Sequence, residues 1–168
     1  ETNLAPLLGP IGNRSVNEGA TLSFTATGSD PDLPAQALTY SLDAGAPAGA
    51  AINANTGAFT WTPTEAQGPG TYPLTVRVTD SGSPALAGFE TITVSVLEVN
   101  VAPSLSPVAD QQIAVGDHLW LTLRAADADL PANVLTFALE AGAPTGVSLD
   151  ATRGLLGWSP CAGQVGTN

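Results

Sequence analysis

The sequence predicts an all-β protein made of tandem antiparallel β-sandwiches, the second of them cut short. Three observations carry that expectation. Gly 18 times and Pro 14 times punctuate a chain of 168 residues in which no long segment repeats its apolar residues at helical spacing, so helices are not expected. Short runs rich in Thr, Val, Leu and Phe alternate with turn clusters, which is the pattern of brief strands joined by tight loops. The chain also matches itself without a gap at an offset of 97 residues, with 27 of 71 overlapping positions identical.

The repeat sets the domain reading. Residues 1–97 form a complete copy, and residues 98–168 form a second copy that lacks whatever the last two strands of the first supply. Within the first copy, strand signals fall at 14–16, 21–27, 38–42, 51–52, 58–61, 71–79 and 89–96. The segments NEG, GSDPDLP, AGAPAGA, NANTG, TPTEAQGPG and DSGSPALAG separate them as turns. Leu22, Phe24 and Ala26 alternate with Thr21, Ser23, Thr25 and Thr27, and Leu74, Val76 and Val78 alternate with Thr75, Arg77 and Thr79, so each strand has one core face. Trp61 and Trp158 hold the same repeat position and read as core residues. Trp120 stands where the first copy has Ser23, on the polar-facing set, and is a contact point or a cover for the incomplete copy.

Composition excludes several functions. Net charge is −11 with 4 cationic residues, all of them Arg, so nucleic acid and anionic membrane surfaces are poor partners and divalent cations are good ones. Cys161 is the single cysteine and leaves no internal disulfide framework. No apolar run reaches the length of a membrane span and no targeting segment is visible. With no Met at all, the chain is expected to be a fragment of a longer protein. The single His, His118, lies beside Asp117 at a strand end and carries no catalytic pattern, so an enzyme is not expected.

The carboxylates sort by strand parity. With seven strands the chain enters and leaves a sandwich at opposite ends. Asp30, Asp32 and Asp80 then gather at the incoming end with Glu1 and Asn3, as a partial metal site to be completed by an upstream neighbour, whereas Glu18 and Glu65 gather at the outgoing end near Glu98 and Asn100. Asp127 and Asp129 repeat the Asp-x-Asp pair and are expected at the same junction as Glu18 and Glu65. Such a cluster repels itself unless a cation intervenes, and Ca²⁺ with its six to eight oxygen ligands suits acidic loops. Each Asp equally suits a turn, capping the backbone two residues on. Glu18 and Glu65 align with Val115 and Ala162, so the far end of the second copy should bind no ion through those positions.

The segments VNEGATLSFTATGSDPDLP, LTYSLDAGAPAGAAINANTGAFTWTP and YPLTVRVTDSGSPALAGFETITVSVLEVNVAP resemble cadherin-like domains, most closely the bacterial Ig-like and dystroglycan-type cadherin-like repeats. The resemblance covers essentially all of the first copy and continues through the second. It implies an Ig-like, cadherin-like sandwich in a secreted or cell-surface extracellular protein, with neighbouring repeats of the same chain as partners and a surface protein or glycan as ligand. It implies a non-catalytic spacer or adhesion module; the alternative is a carbohydrate-binding or accessory module of a secreted hydrolase. It also implies Ca²⁺ ligands at Glu18, Glu65, Glu98, Asn100, Asp127, Asp129 and Asp80. Thr64 and Val101 stand where the family pattern has Asp, so one or two ions are expected rather than three.

Overall fold

Alternation along two long strands builds the core of the first unit. The computed structural model describes residues 2–164 and Gly166, and the chain divides into two compact units, Glu1–Val99 and Asn100–Asn168. In the first, β1 is Leu7–Leu8, β2 Arg14–Asn17, β3 Leu22–Thr25, β4 Gly28–Ser29, β5 Thr39–Leu42, β6 Ala51–Ile52, β7 Ala58–Trp61, β8 Gly70–Thr79 and β9 Ala87–Leu97. A four-stranded sheet in the order β2-β9-β8-β5 faces a three-stranded sheet in the order β3-β7-β6. Leu74 and Val76 of β8, Ile92, Val94 and Val96 of β9, and Phe59 and Trp61 of β7 are all buried in one cluster between them. Burying an apolar side chain of this size contributes about 1.5–3 kcal/mol, so this cluster is what holds the two sheets together. Phe24 stacks on Phe59 with centroids 4.5 Å apart, and Trp61 meets the edge of Tyr72 at 5.2 Å. The Trp61 indole N–H donates to the Ala48 carbonyl at 3.1 Å, so the buried polar handle is satisfied.

One pairing departs from the antiparallel expectation. β2 lies parallel to β9, with Arg14 opposite Val94 and Asn17 opposite Leu97. The first expected strand, β2, therefore joins the sheet of β8 and β9, while β1, Leu7–Leu8, which carried no strand signal, pairs with Gly28–Ser29. The outer face of the large sheet carries a two-point ion pair, Arg77 to Asp43 at 2.6 and 2.7 Å, with the guanidinium 5.1 Å from the Phe89 ring centroid.

The second unit repeats part of this plan. Its strands are β10 (Ser104–Leu105), β11 (Leu119–Thr122), β12 (Ala125–Ala126), β13 (Ser148–Asp150) and β14 (Leu155–Trp158), and β11-β14-β13 form one sheet. These fall 97 residues after β1, β3, β4, β6 and β7, and the short 3-10 turn Glu65–Gln67 recurs as Ala162–Gln164. Among the described residues no strand covers 111–114 or 136–139, the counterparts of β2 and β5. The cause is pairing: β2 bonds to β9 and β5 to β8, and those two strands have no counterpart within residues 98–168. Leu119, Leu121, Leu156 and Trp158 consequently stay half-buried.

Candidate metal centre

Glu18 is fixed by the turn that ends β2. Its N–H donates to the Leu97 carbonyl at 3.0 Å, Gly19 donates to Pro63 O at 2.8 Å, and Ala20 donates to Asn17 O at 3.1 Å. Gly19 takes φ +69°, a left-handed conformation that favours glycine, so the turn can fold back this tightly. The parallel β2–β9 pairing thus carries Glu18 to the end of β9, where Glu98 follows. Glu65 arrives by another route: after Pro63 the chain makes its 3-10 turn, held by Thr64 N–H on Gln67 Oε1 at 2.9 Å and by Gln67 Nε2 on Ala48 O at 3.1 Å.

The three carboxylates meet within the first unit. One oxygen from each of Glu18, Glu65 and Glu98 lies within 4.8 Å of the others. Glu18 is only 7% exposed. Its Oε1 accepts the Val99 N–H at 2.9 Å, while its Oε2 is buried without a hydrogen-bonding partner. A buried carboxylate oxygen left unpaired costs free energy that a ligand would recover. Gly68 backs this oxygen closely, and a Cβ there would collide with Glu18 Oε2.

The second unit shows that the turns themselves do not require these acids. Gly116 donates to Pro160 O at 3.1 Å, Asp117 to Ala114 O at 3.1 Å, and Cys161 N–H to Gln164 Oε1 at 3.0 Å, which is the same scaffold with Val115 and Ala162 in place of the two Glu. The carboxylates are an addition to the fold rather than a condition of it.

The incoming-end residues also assemble, each within its own unit. Leu4 N–H donates to Asp32 Oδ2 at 3.0 Å, and Asp32 N–H donates to Asp30 Oδ1 at 2.9 Å. Asn3 Nδ2 donates to Asp80 Oδ2 at 3.2 Å, and Gly82 and Leu86 N–H groups reach Asp80 Oδ1 at 3.0 and 2.9 Å. Burial pushes the Asp80 carboxyl up, but the Leu86 and Gly82 N–H groups and the Asn3 amide outweigh it and hold it below the ordinary carboxylate value. Glu1 lies outside the described residues. In the second unit, Val101 N–H donates to both oxygens of Asp129 at 3.0 and 3.2 Å, and Asp129 N–H donates to Asp127 Oδ1 at 2.9 Å. Asn100 is exposed, and its Oδ1 lies 3.4 Å from Asn133 Nδ2. Sequence reading missed Gln36 and Asn133, whose amides bind the second Asp of each pair at 3.0 Å. The signal was available, because both positions carry a side-chain amide in the same repeat register.

His118 is exposed and its Nδ1 hydrogen-bonds Ser159 Oγ. The counterpart pair in the first unit, Thr21 and Thr62, bonds through hydroxyls at 2.8 Å, so the His–Ser contact is a cross-strand pair beyond the end of β11 and β14. Trp120 is 63% exposed and lies against Gly157, where a Cβ would fall 2.6 Å from its ring.

Two facing sheets, with β2 parallel to β9 and acidic end loops, define an Ig-like, cadherin-like β-sandwich. The chain belongs to the family described as "Putative Ig domain", whose profile matches residues 5–97. It is similar to Protocadherin-16 of Rattus norvegicus, at 33% identity over 135 residues, covering 76% of this chain and 4% of that protein. The chain thus spans a small part of that relative's length. Among solved structures it is similar to human CDH23 EC21-23, with TM-score 0.61, 22% identity and coverage of 94% of this chain and 54% of that one. It is also similar to mouse cadherin-23 EC22-24, with TM-score 0.60, 24% identity and coverage of 95% and 55%. At that identity the structural likeness establishes the fold. Among the described residues no helix is long and apolar enough to cross a membrane.

Proposed function

We propose that this chain is a non-catalytic spacer or adhesion segment of a larger secreted or cell-surface protein, built from two repeats and holding Ca²⁺ at Glu18, Glu65 and Glu98. One observation carries the ion: a buried, unpartnered Glu18 Oε2 in a set of carboxylate oxygens no more than 4.8 Å apart. Two oxygens bound to one Ca²⁺ at about 2.3–2.6 Å each can lie up to ~5 Å apart, so a single ion can reach all three. Backbone carbonyls and water would complete its shell. With a dissociation constant of ~10⁻⁴ M, as extracellular modules show, about 1 mM Ca²⁺ would stabilise the bound form by roughly 1.4 kcal/mol. That is enough to tighten the Leu97–Val99 segment bonded to Glu18, and too little to fold the unit.

The non-catalytic reading rests on the pairs that hold the polar side chains. His118 pairs with Ser159 at the strand-end position that Thr21 and Thr62 hold in the first unit, and Asp80 and Asp129 are engaged by N–H donors. Neighbouring repeats of the same protein are the proposed partners, with a surface protein or glycan as ligand.

Calorimetric titration of Ca²⁺ into the chelator-treated chain tests the proposal. Binding heat is expected in the wild type and is expected to vanish in Glu18→Gln. Asp127→Ala and Asp129→Ala carry the sequence-based ligand set into the same experiment: lost heat would extend the site to those residues, and unchanged heat would confine it to the three Glu. A wild type that neither releases heat nor gains thermal stability with Ca²⁺ would leave a cation-free spacer.

A further inference from the structure

We infer that the segment entering the second unit is held by a cation-independent clamp, in which a side-chain amide occupies the place between the linker Asn and the second Asp of the Asp-x-Asp pair. The resemblance to cadherin-type repeats puts that Asn and that Asp around a metal ion. Here both units fill the interval with an NH₂ group instead.

In the first unit, Gln36 Nε2 donates to Asp32 Oδ2 at 3.0 Å and to Asn3 Oδ1, while Leu4 N–H donates to the same Asp32 oxygen at 3.0 Å. In the second, Asn133 Nδ2 donates to Asp129 Oδ2 at 3.0 Å, with Asn100 Oδ1 at 3.4 Å, while Val101 N–H spans both Asp129 oxygens. Gln36 and Asn133 occupy one repeat position and differ by a methylene, yet they deliver the same donor group to the same pair of acceptors. Two side chains of different length converging on one geometry make a packing accident a poor explanation.

In the second unit the chemistry is self-sufficient, whereas in the first Asp30 Oδ2 and Gln36 Oε1 stay buried without a hydrogen-bonding partner. Asp129 is 2% exposed, so its carboxylate needs donors from the protein. Val101 N–H and the Asn133 amide supply them, and hydrogen bonds to an ionised acceptor are the strong kind. An amide NH₂ has two donors and no net charge, so it bridges a carboxylate and an amide oxygen without a counter-ion. A cation would have to displace this group, whose positive end already points at both acceptors. The first Asp of each pair acts separately, since Asp30 Oδ1 and Asp127 Oδ1 each take the N–H of the second Asp at 2.9 Å and set the loop. Asn133 is accordingly a positioning residue for the entering segment, and the clamp stands whether or not an ion binds at Glu18.

Amide hydrogen exchange on the full chain, followed by NMR at Val101 in chelator and in excess Ca²⁺, tests this. The Leu123 amide, bonded to Gly154 O at 2.8 Å, reports that the second unit is folded. Wild-type Val101 should be protected in chelator, and Ca²⁺ should change its rate by no more than roughly twofold. Asn133→Ala should speed Val101 exchange by about tenfold while Leu123 stays protected. Asn133→Asp sets a second carboxylate against Asp129 and should make the clamp cation-dependent, with fast exchange in chelator and slow exchange in Ca²⁺. Wild-type protection of Val101 that appears only with Ca²⁺ would overturn the inference. So would a Val101 rate indifferent to Asn133→Ala in a folded unit.

Discussion

Replacing Glu18 by Gln should raise stability without Ca²⁺ and lose that advantage as Ca²⁺ is added. Without the cation, three carboxylates share a region in which one oxygen of each lies within 4.8 Å of the others, and Glu18 is 7% exposed. Two unit charges ~5 Å apart repel by about 1 kcal/mol in water and about 3 kcal/mol at the effective dielectric of a protein surface. Glu18 faces two such neighbours. Gln keeps an oxygen for the Val99 N–H, and the change from a charged to a neutral acceptor costs about 1 kcal/mol. It also brings an NH₂ donor toward Glu65 and Glu98. The balance favours Gln by roughly 1–2 kcal/mol in chelator. With ~1 mM Ca²⁺ the wild type gains about 1.4 kcal/mol and the variant gains none. For a unit of this size, 1 kcal/mol moves the unfolding midpoint by about 4–8 °C. Thermal unfolding should therefore find the variant the more stable in chelator, with the gap closing as Ca²⁺ is added. A Glu18→Gln protein that is less stable than wild type in chelator by ~1 kcal/mol or more would show that Glu18 serves the fold through Val99 and holds no place for an ion.

Two further outcomes follow from the core and from the acidic loops. Trp61→Ala removes a side chain that is 1% exposed, is packed on Tyr72 and has a satisfied N–H, and should cost about 3–5 kcal/mol in urea unfolding of the first unit. Trp158→Ala removes a half-buried ring whose N–H reaches Thr145 O at 3.3 Å, and should cost roughly half as much or less; equal costs would contradict the open packing of the second unit. Asp80 and Asp43 have carboxyl groups held below the ordinary value of 3.8, Asp80 by N–H donors against burial and Asp43 first by its hydrogen bond to Arg77. A depressed folded pKa gives stability that is present above the unfolded value and is lost as pH falls through the folded one. The urea midpoint should hold steady above pH ~5 and decline below pH ~4, and Asp80→Asn should flatten that decline.

Much of the fold was legible because strand alternation and turn chemistry are local. The offset of 97 residues places β10 to β14 from their counterparts by register alone. What was not legible came from pairing. The segments 111–114 and 136–139 share the register of β2 and β5 but form no strand, since a strand needs a partner and β8 and β9 are the partners in the first unit. The parallel β2–β9 contact escaped alternation, which reports which face is buried and not which neighbour is bonded. At the site, strand parity led to the expectation of Glu18 and Glu65 at one end and Asp30, Asp32 and Asp80 at the other. It did not show that Asp32 and Asp129 would be engaged by N–H donors, nor that Gln36 and Asn133 would complete those contacts.

The sequence by itself determined the all-β class and the core faces, because both depend on period. Tertiary structure alone decided which carboxylate loses water. Glu18, Asp30 and Asp127 are all acids in tight turns, yet of the three Glu18 is the one folded under the end of β9 with Gly68 behind it and nine-tenths buried as a residue, while Asp30 and Asp127 stay half-buried. Burial of that kind comes from segments that meet across some eighty residues of chain, and no local pattern encodes it.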